Sequence, residues 1–171
     1  MGRIIQINIS GGGVPKRAVE RAALGRLGLE GDAHNDNQNH GGPTRALCLY
    51  SMEQIQSLRA EGHPIAPGSI GENLTLSGLR LSDFAPGDRL SIGGSVLIEI
   101  TGYANPCKNI APYFVGGEIA RVSQKVHPGW SRLYASVIQG GLLEVGQEVL
   151  RVFEATDRNG SGRRTQADPR G

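Results

Sequence analysis

Glycine is the constraint this chain imposes most strongly: 26 of its 171 residues are Gly, about twice the usual share of roughly 7%. The glycines follow no repeat period and fall between short apolar runs. Chains of that kind turn often and tightly, so they build many short strands and few long helices. Arg3 to Ile9 alternates and reads as an opening strand, with Ile5, Ile7 and Ile9 on one face. Ala46 to Tyr50, Asn73 to Leu76, Arg89 to Ile92, Val96 to Thr101, Leu133 to Ile138 and Glu148 to Phe153 read as further strands. Gly93-Gly94 is placed as a two-residue hairpin turn. Val96, Ile98 and Ile100 face one way, and Leu97 and Glu99 the other. Ser51-Met52-Glu53-Gln54 has the spacing of a capping box. It opens a helix with Ile55 and Leu58 as its apolar stripe, stopped by Gly62 and Pro64. One or two short helices are expected between Ile110 and Val126, interrupted at Gly116-Gly117. Strands and helices do not alternate regularly, so a doubly wound sheet is disfavoured and an all-β barrel or sandwich is expected.

A chain of this length is large enough for one domain with a real core. Its formal net charge of +2 argues against a nucleic-acid binder, while a pI near 8.7 allows a local basic pocket for a small anion. No stretch reaches the length of a membrane span, and Met1 to Gln6 forms neither a signal core nor a myristoylation pattern. The expected location is the cytoplasm, with two cysteines in unlike settings and no disulfide framework. Residues 155–171 carry four arginines among Gly, Ser, Asp and Pro and are expected to form a disordered tail.

Chemistry is expected at Cys107. It follows Asn105-Pro106 directly after an apolar run, so the chain leaves it at a strand end, where a ligand can reach it. Lys108 follows at once, and an adjacent ammonium favours the thiolate, the form that attacks sulfur or binds a soft metal. Cys48, within Ala46-Leu47-Cys48-Leu49-Tyr50, reads as core. The densest polar cluster runs from Gly28 to Arg45, with Asp32, His34 and His40 inside it. Three readings stand beside one another for it. It is a solvated loop of local turns; or a zinc site through His34, His40 and Asp32, at a spacing that matches no standard site; or a loop lining a pocket. In the last reading Gly41 and Gly42 present backbone amides to an anion and Arg45 clamps it. Pro67 to Leu74 is either an ordinary turn or brings Glu72 and Asn73 to the same mouth. Gly11 to Arg17 lacks the pattern of a phosphate loop; Lys16 and Arg17 read first as part of a solvated turn, with reach to an anionic ligand from the side as the alternative. No hydrolytic triad is visible, a pairing of Cys107 with His34 or His40 stays open, and His63 and His127 read as exposed.

Taken in order, Gly28-Leu29-Glu30-Gly31-Asp32, His40-Gly41-Gly42, Pro67-Gly68 through Gly71-Glu72-Asn73-Leu74, Gly87-Asp88-Arg89, Pro106-Cys107 and Gly129-Trp130 before Gly140-Gly141 resemble the MOSC domain. That is the C-terminal domain of molybdenum cofactor sulfurases, here in a stand-alone, bacterial-type form. The resemblance runs from about Ile4 to Phe153. It implies a mainly β fold, a barrel of the pyruvate-kinase β-barrel-like type with a few peripheral helices, over residues 1–154. It also implies a molybdopterin cofactor and makes the cysteine matching Cys107 the functional residue and molybdenum ligand. Under it, Arg45 and Lys108 would neutralise the cofactor phosphate, His40 and Asn73 would orient pterin or substrate, and Asp32 would hold the loop. His34, Gly41 and Gly42 would complete the cofactor-binding set, with His40 beside Cys107 in catalysis.

Three activities follow from the resemblance. The first is reduction of N-hydroxylated compounds with Cys107 on molybdenum. The second is transfer of sulfane sulfur as a Cys107 persulfide. The third is a non-catalytic module that stores or delivers the cofactor. The pyridoxal-phosphate desulfurase domain of the fused sulfurases is missing, so no bound pyridoxal phosphate is expected. A separate cysteine desulfurase or electron-transfer protein would have to act with a small-molecule substrate. Neither nucleic acid nor membrane is an expected partner.

Overall fold

The computed structural model describes residues 1–33 and 41–154. Its frame is a closed barrel of seven strands: β1 (Gly2–Ile9), β5 (Leu47–Ser51), β6 (Leu74–Ser77), β7 (Arg89–Ile92), β8 (Val96–Tyr103), β9 (Leu133–Gln139) and β11 (Glu148–Val152). They follow one another as β11, β7, β8, β9, β5, β6, β1, and pairing of β1 with β11 closes the ring. Every neighbouring pair is antiparallel except β5 and β6, which lie parallel. The crossover between those two contains helix α1 (Met52–Ala60), the kind of connection parallel strands need. Strand β2 (Arg17–Val19) extends the barrel beside β1, and β10 (Gly141–Glu144), β3 (Arg21–Gly25) and β4 (Gly28–Leu29) form a smaller sheet.

Side-chain alternation explains the barrel interior. Val96, Ile98 and Ile100 on β8 are all buried, and they join Leu90, Ile92, Leu47, Leu49, Leu74, Leu133 and Val149 in one core. Fully burying side chains of this size is worth about 1.5–3 kcal/mol each. Gly93 and Gly94, at φ 60 and 79, turn β7 into β8, but Ile92 pairs with Val96, so the connection holds three residues (Gly93, Gly94 and Ser95) and not the two expected. Glycine supplies the positive φ at the first two of them without strain.

β1 departs from the expected alternation. Ile4, Ile7 and Ile9 are buried, while Ile5 is 41% exposed. The cause is a register shift between Ile4 and Gln6 against β6. A bulge there reverses which side chains face inward. The capping pattern is also only half realised: Ser51 Oγ accepts from the Gln54 amide at 3.2 Å, but Gln54 Nε2 donates to the Gly129 carbonyl at 2.7 Å instead of reaching back. Between Lys108 and Val122 the chain forms three 3-10 turns, shorter than the helices expected there. Strands β2, β3, β4 and β10 fall in stretches without clear alternation. The expected tail, 155–171, lies outside the described residues.

A second core lies under α1, where Ile55 and Leu58 meet Tyr50, Ile65, Ile70, Ile110, Phe114 and Val122. It fastens the turns that follow Cys107 to the helix, and so anchors the segment carrying the thiol. His63 belongs to this region. It is not exposed, since its Nδ1 accepts from the Val115 amide at 3.0 Å and its ring lies 5.2 Å from Phe114. No helix among the described residues is long and apolar enough to cross a membrane.

Gly68 tests how closely the loop before β6 is moulded onto the barrel. It sits at φ +84, and a Cβ there would fall on the Lys16 carbonyl oxygen and 3.3 Å from the Asn8 side chain. Gly68→Ala is expected to destabilise the fold by more than the ~1–2 kcal/mol that left-handed backbone alone costs. A fall in urea midpoint at constant m-value would register it, and an unchanged midpoint would contradict this account.

Candidate functional site

The site forms where β8 runs out and β9 and β6 begin. Antiparallel pairing puts Tyr103 at the end of β8 beside Leu133 at the start of β9. The segment after β8 (Asn105, Pro106, Cys107) therefore lies next to the segment entering β9 (Arg132). Parallel pairing of β5 with β6 brings Cys48 and Asn73 to the same end. These residues line a cavity of about 380 Å³, with Gly13, Val14 and Lys16 from one loop, Ile70 and Gly71 from another, and Arg45, Tyr103, Asn109 and Tyr134 completing the wall.

A buried polar node supports the wall. Asp32 Oδ1 accepts from Lys16 Nζ at 2.6 Å and from the Ser10 amide at 2.9 Å, and Oδ2 accepts from Asn73 Nδ2 at 2.9 Å. Asn73 Oδ1 accepts from the Cys48 amide at 3.0 Å, and Nδ2 also donates to the Asn8 carbonyl at 3.2 Å. Asn73 thus stands in for strand pairing among β5, β6 and β1. It lines the cavity with its two amide protons already committed, as a positioning group. Asp32 lies behind the wall and not in it.

Cys107 lines the cavity, half-buried and unpaired with any other cysteine. Cys48 is buried, as core residues are, but it lines the same cavity, and burial pushes its thiol up to about 11. Arg45 lines the cavity with its guanidinium 5.5 Å from the centroid of the Tyr134 ring. Burial likewise raises the Tyr134 phenol to about 12. Lys108, the first residue of the 3-10 turn after Cys107, is exposed and does not line the cavity. Gly41 and Gly42, at φ 84 and 80, precede the turn that delivers Arg45 but do not line the cavity. His34 and His40 lie outside the described residues, so neither their pairing with Cys107 nor a zinc site through them is described. Among the described residues, no three His, Cys, Asp or Glu side chains are grouped to hold a metal ion.

Two cations were misjudged from sequence. Lys16 is buried and ion-paired, not part of a solvated turn. Arg132 was missed altogether. It is 4% exposed, and its Nη1 donates to the Ile70 carbonyl at 2.7 Å and Nη2 to the Asn105 carbonyl at 3.2 Å. Its place just before the apolar run from Leu133 mirrors that of Cys107 after the run ending at Thr101. That symmetry acquires meaning only once β8 and β9 are known to pair. Glu72 does not reach the mouth. It is wholly buried on the far side of Asn73, its Oε1 accepting from the Gly68 amide at 2.6 Å and Thr75 Oγ1 at 3.0 Å.

The fold and site together define a β-barrel protein with a thiol at the rim of a cationic cavity. The MOSC domain model matches residues 36–150, and the chain belongs to that family. YflK of Bacillus subtilis is 30% identical over 136 residues, covering 78% of this chain and 60% of that protein. YiiM of Escherichia coli is 33% identical over 122 residues, 68% of this chain and 53% of that protein. Its crystal structure superposes with a TM-score of 0.68 at 29% identity, over 92% of this chain and 72% of that one. A protein of Gibberella moniliformis named Reductase is 32% identical over 84 residues, 47% of this chain and 15% of that protein. The chain spans little more than half the length of the curated bacterial relatives it matches.

Glu72 carries a pH signature. Burial, the dominant influence, holds its carboxyl above the ordinary 4.5, opposed by hydrogen bonds from Gly68 and Thr75 and by the nearby Arg132 charge. The unfolded chain then releases this proton at lower pH than the folded one, so the residue's contribution to stability falls as pH rises beyond 4.5. Glu72→Gln, which mimics the neutral carboxyl, is expected to be more stable than wild type at neutral pH. The gap should shrink as pH falls towards that value. Urea melts of both proteins across that range check it; a gap independent of pH contradicts it.

Proposed function

We propose that this MOSC protein, with residues 1–154 as the MOSC unit, binds a pterin-type molybdenum cofactor and reduces N-hydroxylated compounds. One observation carries the reading. Cys107 stands at the rim of a cavity whose described lining includes Lys16, Arg45 and Arg132 and no carboxylate. A cofactor combining a soft-metal centre with a phosphate needs a thiolate at one point and cations at another. The donor set fits that group. Cys107 would ligate the metal, Arg45 would face the phosphate from the Tyr134 side, and Asn73 and Asp32 would keep the wall in register. The fungal relative named Reductase supports the direction of the chemistry.

When bound, such a cofactor supplies a two-electron redox centre. Reduction of a hydroxylamino group consumes two electrons and two protons and gives the amine and water. The electrons come from a separate electron-transfer protein. The half-buried position of Cys107 lets the reacting group approach from the mouth. Apolar residues, Val14, Ile70 and Ile110, also line the cavity and limit the water it holds. Lys108, which does not line the cavity, has no part in holding the phosphate in this reading.

Molybdenum, pterin and cyanide-releasable sulfur, measured in protein purified from molybdate-supplied cells, test the proposal. Wild type is expected to carry molybdenum and pterin and to reduce an amidoxime with an artificial electron donor. Cys107→Ala should lose at least about 10-fold in metal content, since even outer-shell changes cost that much. Sulfane sulfur on Cys107 in metal-free protein would replace reduction with sulfur transfer. Cofactor content unchanged in Cys107→Ala, without turnover in either protein, would make the chain a carrier of the cofactor.

A further inference from the structure

Arg132 is the residue whose presence the fold alone does not explain. Burying a guanidinium costs several kcal/mol unless an anion compensates it. Among the described residues no carboxylate forms an ion pair with it. Its two hydrogen bonds go to the carbonyls of Ile70 and Asn105, and its Nε, also buried, has no partner. A neutral amide would satisfy those carbonyls without the charge. Glu72 forms no ion pair with it: its Oε1 is taken by Gly68 and Thr75, its Oε2 has no hydrogen-bond partner, and burial favours its neutral acid against the pull of the Arg132 charge. The other buried cation of the cavity, Lys16, is already neutralised by Asp32.

The surroundings leave room for the missing anion. Gly71 lines the cavity beside Arg132, and a Cβ there would come 3.9 Å from Nη1 and 3.1 Å from Val14 Cγ1. Glycine leaves the space beside the guanidinium open. Through Asn105 the same guanidinium holds the chain two residues before Cys107.

We propose that Arg132 is the specificity-determining residue of this site, and that the molecule brought to Cys107 carries an anionic oxygen group, a phosphate ester or a carboxylate, seated against it. This rests on the reading of the cavity as a ligand site, and it extends that reading by naming Arg132, beside Arg45, as the residue that seats the anionic group. It does not require that the ligand contain molybdenum.

The test compares alkylation of Cys107 by iodoacetate and by neutral iodoacetamide in the full chain expressed without molybdate. In both reactions the thiolate displaces iodide, and peptide mass mapping separates Cys107 from Cys48. A charge-assisted contact predicts an iodoacetate-to-iodoacetamide rate ratio at least about 10-fold above that of free cysteine. Arg132→Gln should bring the ratio back to the free-cysteine value, the iodoacetamide rate of the same variant serving as its reference. Arg132→Lys should keep part of it. Inorganic phosphate and acetate serve as competitors: protection at the lower concentration by phosphate identifies a phosphate ester, and by acetate a carboxylate. A wild-type ratio no higher than that of free cysteine overturns the proposal whether or not the variants fold. So does a raised ratio that survives in Arg132→Gln, which would assign the anion to Arg45. Because the probe needs no metal, its failure is distinct from loss of the cofactor reading, which the Cys107→Ala metal analysis decides.

Discussion

The buried carboxylate of Asp32 holds together segments that are far apart in sequence. Lys16, Ser10 and Asn73 all donate to it, and Asn73 in turn accepts from the Cys48 amide and donates to the Asn8 carbonyl. A buried ion pair is not by itself a source of stability, since desolvating both charges offsets most of their attraction. Its effect here is on position. With both carboxylate oxygens occupied, the Lys16 loop, the start of β6 and the start of β5 are held in one arrangement that leaves neither Lys16 nor Asp32 unpaired. One wall of the cavity follows from that arrangement.

The opposite wall depends on strand pairing. Antiparallel β8 and β9 place a strand end and a strand start side by side, so Cys107 and Arg132 arrive at one rim although separated in the chain. Arg132 then ties this rim to the loop before β6 through the Asn105 and Ile70 carbonyls. The two walls differ in electrostatics. The Asp32 side closes on itself, whereas the Arg132 side carries a cation with no described carboxylate against it.

Much of this was readable from residue order. Glycine-bounded runs pointed to an all-β barrel or sandwich, and β7, β8 and the helix after Ser51 follow from alternation and capping alone. The position of Cys107 after an apolar run placed it at a strand end, and that is where it lies. What escaped was whatever depends on a partner distant in the chain. The bulge at Ile4 to Gln6 arises from pairing with β6, and no pattern within β1 announces it. Lys16 looked like a solvated lysine because its carboxylate partner lies beyond three intervening strands. Arg132 looked like any residue before a strand. The family resemblance brought the expected cysteine but not these cations, since Arg132 belonged to none of the motifs that carried it.

The two cysteines show why place in a cavity and reactivity are separate properties. Both thiols face the same space, and Cys48 is fastened by strand pairing on β5 and by the Asn73 side chain. Burial raises its thiol to about 11, which keeps it protonated and a poor nucleophile near neutral pH. Cys107 stands on a turn open to the mouth, free of such fastening, with its backbone held from behind by Arg132 and the helix-side core. A thiol of this kind accepts a ligand without disturbing the barrel, because the strands end before it begins. The rigid part of the site is thus the part that recognises charge, and the accessible part is the one that carries sulfur. That division lets one cavity select its ligand by an anionic group while leaving the sulfur free to engage a different atom of the same molecule.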